Sequence, residues 1–215
     1  MAGKTDGVLV LWGAGTPRTM RAHWMLHELD LAYESRPIGS RTGATQTPEY
    51  TRLNPGRKIP VLQDGDFVLS ESAAIVNYLA QTYGAARNLL LPADTKQRAL
   101  YDQWCFFAMM ELDADTLYVI RRHEGLAEIY GEAPNAVKAA RDCFRQQAQA
   151  AAQRLALTGP YVLGERFSGA DVLLTTCLAS AVRGQIELPE SLHEYLKRCT
   201  AREAYRLAER ANQRK

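Results

Sequence analysis

Cysteine is scarce in this 215-residue sequence, which has four. Cys105, Cys143, Cys177 and Cys199 are widely spaced and form no C-x-x-C pair. That excludes a disulfide framework and a zinc ribbon, and leaves them as small apolar fillers in a reducing compartment. Long apolar runs are missing too. Nothing approaches the ~20 residues that a bilayer-spanning helix requires, and Val8–Trp12 is too short for the core of a signal peptide. The expectation is a cytoplasmic protein with no membrane partner. Charge of one sign is also absent, with 26 Lys and Arg against 24 Asp and Glu for a net +2. Such a balance speaks against nucleic acid as a partner. Only Arg210–Lys215 leans basic, and it reads as a solvated helix end.

Several chemical signatures are incomplete in the same way. Gly13-x-Gly15 follows an apolar run, with Glu34 at the distance of a ribose-binding acid, but Arg18 stands where a dinucleotide loop needs its third glycine. His23 and His27 have the spacing of a zinc pair without the glutamate of H-E-x-x-H, and read as packing or surface residues. Asp113 and Asp115 are two apart, about 200° around a helix, and cannot converge on one ion. No G-x-S-x-G is present. No metal is expected.

What remains is a chain 47% apolar and 23% charged, long enough for two folded domains that share an interface. Val8–Trp12 reads as a buried strand ended by glycines. Pro17 suits the first turn of a helix running to Asp30, and Leu31–Arg36 as a second strand, parallel to the first across that helix. Gly39–Thr47 is a polar connection, and Pro48–Leu53 makes one or two helical turns. Pro60–Gln63 and Phe67–Leu69 flank Asp64-Gly65-Asp66, which is hairpin chemistry, and Glu71–Tyr83 has a helical apolar face. Beyond a linker from Ala85 to Ala93 no strand pattern returns. Asp94 caps a helix expected to reach about His123, with a stripe of Leu100, Trp104, Phe107, Met110 and Leu117. Helices follow from Pro134 to about Leu157, behind the capping box Ser168–Asp171, after Pro189 and around Arg202. The fold class is α/β followed by all-α.

The most specific signal is compound. It runs Asn54-Pro55-Gly56-Arg57-Lys58-Ile59-Pro60-Val61-Leu62, then the hairpin turn, then Ser70-Glu71-Ser72-Ala73-Ala74-Ile75-Val76-Asn77-Tyr78-Leu79. This resembles the cytosolic glutathione S-transferase family, which has N-P-x-G-x-[VI]-P, a hairpin and E-S-x-A-I-x-x-Y-L. The loop Gly13–Thr19 sits where that family keeps its catalytic residue, and Ser168–Asp171 matches its helical-domain capping box. One position departs from the pattern, since Arg57 stands in place of the usual glycine.

The resemblance implies a thioredoxin-like glutathione-binding domain over 1–84 and a helical bundle over 93–215 lining the electrophile site. It implies a cis Pro60, with Ile59 holding the cysteinyl part of glutathione through its backbone. Glu71 and Ser72 would meet the γ-glutamyl end, though local sequence alone reads both as first-turn caps. Arg57 or Lys58 would meet the glycyl carboxylate. Thr16, in a bacterial-type loop with a Ser/Thr hydroxyl, would activate the thiol, with Thr19 as its rival. Tyr101, Trp104, Phe107 and Met110 are candidates for the electrophile wall, or for helix–helix core. Glutathione is then a co-substrate, a small electrophile or peroxide its partner in the reaction, and a homodimer the expected assembly. A non-catalytic glutathione- or protein-binding module of the same fold is the alternative. A glutaredoxin-type enzyme is excluded, because no cysteine precedes Cys105.

Overall fold

The computed structural model describes residues 8–84, 89 and 92–213. The chain divides into two compact units, Met1–Leu91 together with Ala201–Lys215, and Pro92–Thr200. The expected linker from Ala85 lies largely outside the described residues.

In the first unit β1 (Leu9–Trp12), β2 (Tyr33–Arg36), β3 (Val61–Asp64) and β4 (Phe67–Ser70) form one sheet in the order β2-β1-β3-β4. β2 lies parallel to β1, as the crossover through α1 (Pro17–Glu28) requires, and β3 and β4 are antiparallel. Period two is visible in β1, where Leu9 and Leu11 are buried on one face while Val10 and Trp12 are half-buried on the other. β2 is shorter than expected. Asp30 turns at φ 51 and the Leu31 N–H bonds back to Leu26 O, so the chain joins the sheet only at Tyr33. α2 (Pro48–Leu53) brings Tyr50 against Ile59 and Val61, and α3 (Ser72–Tyr83) packs on α1.

The second unit opens with α4 (Thr95–Phe106), capped by Asp94, whose carboxylate accepts the N–H groups of Lys96 and Gln97. The long helix is present, but its winding loosens. From Phe107 to Leu117 it takes π pitch, and the Tyr118 N–H bonds five residues back to Asp113 O. After α5 (Tyr118–Ile120) it loosens again over Arg121–Gly125 and is followed by α6 (Ala127–Tyr130). The wider turn moves the buried stripe off the expected 3.6-residue spacing. Trp104, Ala108, Leu112, Thr116 and Ile120, four apart, face inward, whereas Leu100 and Met110 are exposed.

Tyr101, Trp104 and Phe107 are buried, and the Trp104 and Phe107 rings meet edge-on at 5.8 Å. α7 (Pro134–Thr158), α8 (Gly169–Arg183) and α9 (Glu190–Thr200) complete this unit. α8 begins at a closed knot. The fully buried Asp171 carboxylate accepts the N–H of Val162, the N–H and hydroxyl of Ser168 and the hydroxyl of Tyr195, all at 2.7–2.9 Å.

α10 (Glu203–Ala211) departs from the expected helical domain, because it packs along α1. Arg202 grips Glu28 with two bonds of 2.6 Å, Tyr205 meets the Trp24 ring edge-on at 4.9 Å, and Asn212 reaches the loop before α1. The two helices therefore run antiparallel. Burial of Trp24 and Tyr205 accounts for the docking, at roughly 1.5–3 kcal/mol for a large apolar side chain.

Candidate functional site

Strand register gathers three loops. Trp12, the last residue of β1, pairs with Val61, the first of β3, and Val61 pairs with Ser70, the last of β4. The segments 13–16, 59–60 and 71–72 therefore leave the sheet at one end. Gly13 shows how closely they approach: it has φ +116, and a Cβ there would lie 2.7 Å from Ile59 Cβ and 2.9 Å from Thr19 Cγ2. Only glycine fits. Its carbonyl accepts from His23 Nε2 at 3.2 Å, so that nitrogen carries the proton and Nδ1 accepts the Tyr33 hydroxyl at 2.7 Å. With both nitrogens engaged, His23 supports the loop. Burial pushes its pKa down to about 4, against the opposing effect of the Gly13 bond and with help from nearby His27.

At the start of α3, Glu71 has φ 68 and ψ 114, is exposed, and makes no capping bond. The first-turn capping that local sequence would assign to it is not its role. The positive end of the helix has no side chain from Glu71 across it. Ser72 is buried, and its Oγ accepts from Arg21 Nη1 at 3.1 Å. This uses one lone pair and leaves the hydroxyl proton to donate. Arg21 is itself 1% exposed, which places a permanent positive charge beside Ser72. Sequence reasoning does not single out Arg21, although a signal exists: it lies three and four residues before Trp24 and Met25, on a buried helix face.

Thr16 is the N-cap of α1 and is half-buried. Its hydroxyl accepts the Thr19 N–H at 3.0 Å and its carbonyl takes the Met20 N–H at 3.0 Å. Pro17 has no N–H to offer, and the Thr19 and Met20 N–H groups of the first turn are already bonded to Thr16. The Thr16 hydroxyl also lies 3.0 Å from the Thr19 hydroxyl, so its proton rests against Thr19 Oγ1 and must rotate away to reach a ligand. Thr19, by contrast, is fully buried. Its hydroxyl donates to Asn212 Oδ1 at 2.6 Å, and its oxygen accepts the Thr16 N–H at 3.0 Å.

The Ile59–Pro60 bond is cis, as the resemblance implies. Ile59 packs beside Tyr50, and the Lys58 carbonyl accepts from the Tyr50 hydroxyl at 2.7 Å and from Asn54 Nδ2 at 2.9 Å. Arg57 has φ 53, which explains why glycine is usual at its place. Arg57 and Lys58 are both exposed, and neither forms an ion pair among the described residues. Either can receive an anion.

Residues 7–81 match the family model of the glutathione S-transferase N-terminal domain. Among curated relatives, the glutathione S-transferase-like protein gedE of Aspergillus terreus is 38% identical over 99 residues, covering 45% of this chain and 43% of that protein. The chain spans 34% to 62% of the length of the curated relatives it matches. Of solved structures, a theta class glutathione S-transferase from Xanthomonas axonopodis pv. citri with glutathione bound superposes with a TM-score of 0.77 at 29% identity, over 97% of this chain and 99% of that one. A glutathione transferase homolog from Lodderomyces elongisporus, with two glutathione molecules per subunit, reaches a TM-score of 0.87 over 96% and 99%. At 20% identity it shows the fold alone.

Proposed function

We propose that the chain is a cytosolic glutathione S-transferase that adds glutathione to small hydrophobic electrophiles or reduces peroxides with it, a reading supported by the N-terminal domain match over residues 7–81. The start of α3 carries the reading, because an exposed Glu71 that caps nothing precedes a buried Ser72 held by Arg21. The γ-glutamyl end of glutathione presents an ammonium and a carboxylate on one carbon. Glu71 takes the ammonium. The Ser72 hydroxyl and N–H, with the positive end of α3, take the carboxylate.

The Ile59 backbone pairs with the cysteinyl unit as an added strand would, next to Pro60. Arg57 or Lys58 meets the glycyl carboxylate through a charge-assisted bond of about 1.5–3 kcal/mol where water is excluded.

Thr16 is the activating hydroxyl in this reading, because it keeps accessible surface and can turn its proton from Thr19 to the sulfur, while Thr19 is buried and bonded to Asn212. A free thiol titrates near 8.5; one donor and the α1 dipole lower that by about one to two units. The thiolate lone pair then forms the bond to the electrophilic carbon, and the displaced electron pair leaves with a halide, stays on the oxygen of an opened epoxide or passes into the carbonyl of an enal, whose carbon is then protonated. With a hydroperoxide the sulfur takes the outer oxygen as the O–O bond breaks to release the alcohol, and a second glutathione displaces that oxygen as water to give the disulfide. The protein works in the cytoplasm, and its partner is a second copy of the chain.

The test is glutathione-dependent turnover across aryl halides, enals, epoxides and hydroperoxides, with Thr16→Val and Thr19→Val alongside. Turnover is expected with at least one class, and Thr16→Val should raise the pKa of the bound thiol, read by ultraviolet thiolate absorbance. Glutathione binding without turnover of any class would instead mark a non-catalytic binding module. A shift in Thr19→Val with none in Thr16→Val would reverse the assignment.

A further inference from the structure

The chain's far end closes on the loop before α1. Asn212 Oδ1 accepts from the Thr19 hydroxyl at 2.6 Å and from the Gly15 N–H at 3.1 Å, while its Nδ2 donates to Thr16 O at 3.1 Å. The Asn212 backbone carbonyl also accepts the Gly15 N–H at 2.8 Å. One residue thus holds the main chain on both sides of Thr16 and the side chain one turn later. The amide orientation is fixed by chemistry, since only the NH₂ can donate to a carbonyl and only the oxygen can accept from an N–H. α10 delivers this residue because Tyr205 docks the helix on Trp24 along α1, and Arg202 adds a separate tie to Glu28 at the far end.

We propose that Asn212 is a positioning residue for the thiol-activating loop, acting on glutathione through Thr16. The proposal rests on the glutathione reading given above. With Asn212 drawing the Thr19 proton toward itself and off the Thr16 carbonyl 2.9 Å away, Thr19 serves Thr16 as an acceptor for its N–H and, before the thiol arrives, for its hydroxyl, and the Thr16 backbone is held from both sides. A hydroxyl held in place stabilises a thiolate better than one that must reorganise when the charge forms. Removing the clamp therefore weakens ionisation of the thiol more than binding of the tripeptide.

The experiment uses the full chain with Asn212→Ala and, as control, Arg202→Gln, which loosens α10 at its other end and leaves the loop contacts alone. The readouts are thiolate absorbance of bound glutathione against pH, kcat and KM for glutathione, and thermal stability. Asn212→Ala should raise the thiol pKa by about half a unit to one unit and lower kcat roughly three- to tenfold with KM within about twofold. Arg202→Gln should lower thermal stability and leave the thiol pKa in place. An unchanged pKa in Asn212→Ala, or an equal shift in both variants, overturns the proposal and leaves the glutathione reading intact. A wild-type chain that binds no glutathione defeats the reading itself, and the positioning role with it.

Discussion

Helices α8 and α3 begin in opposite ways. α8 starts in a sealed knot, where the buried Asp171 carboxylate collects four donors and nothing is left for a ligand. α3 starts at an exposed Glu71 with strained backbone and no capping bond, above a Ser72 that an arginine holds from beneath. The first arrangement maximises internal satisfaction, which is what a domain core needs. The second leaves the positive end of a helix and a solvent-exposed carboxylate side by side, open to a charged ligand. α1 lies between the two. Thr16 caps it as Ser168 begins α8, yet it is half-buried, with its hydroxyl bonded only to Thr19 among the described residues.

If the contrast is right, damage at α8 falls on stability and damage at α3 on binding. The largest effect is expected from Asp171→Ala, which orphans the N–H groups of Val162 and Ser168 and the hydroxyls of Tyr195 and Ser168. It should cost about 3–5 kcal/mol in urea unfolding, with glutathione affinity retained by the folded fraction.

Next comes the pH dependence set by His23 beneath the α1 loop. Its folded pKa, about 4, lies below the ordinary 6.5. The neutral ring therefore contributes stability that is fully present above pH 6.5 and is lost as pH falls from 6.5 toward 4. The loss is on the order of 3 kcal/mol by pH 4. His23→Gln should flatten that part of the unfolding profile, and an unchanged slope would remove His23 as its source.

Glu71→Gly sharpens the contrast with a smaller shift of opposite sign. Relief of φ 68 should raise stability by about 1 kcal/mol while glutathione affinity falls. A change of both in the same direction would mean that Glu71 serves the fold.

Much of this was legible in the sequence, for reasons that vary by element. The βαβ start, the hairpin and the helix after it follow from period, turn residues and Pro positions, all local signals. The Ser168–Asp171 box was readable as well, because its defining bonds span three residues. The looser winding from Phe107 to Leu117 was not, since an apolar-rich run fits a 3.6-residue stripe as easily as a wider one. Nor was the docking of α10 on α1, where Arg202–Glu28 and Asn212–Thr19 join residues more than 170 positions apart. In the site, the Glu71-Ser72 pair and Pro60 came from motif. Arg21 and Asn212 came only with tertiary contact, because neither their type nor their spacing announces which backbone they meet.

The most direct measurement is calorimetric titration of glutathione into the wild-type chain, Glu71→Ala and Ser72→Ala, each first checked for an unchanged melting temperature. Each variant is expected to bind at least about tenfold more weakly, a difference of about 1.4 kcal/mol or more. Wild-type affinity in both folded variants would contradict the assignment of the open start of α3 as the γ-glutamyl site.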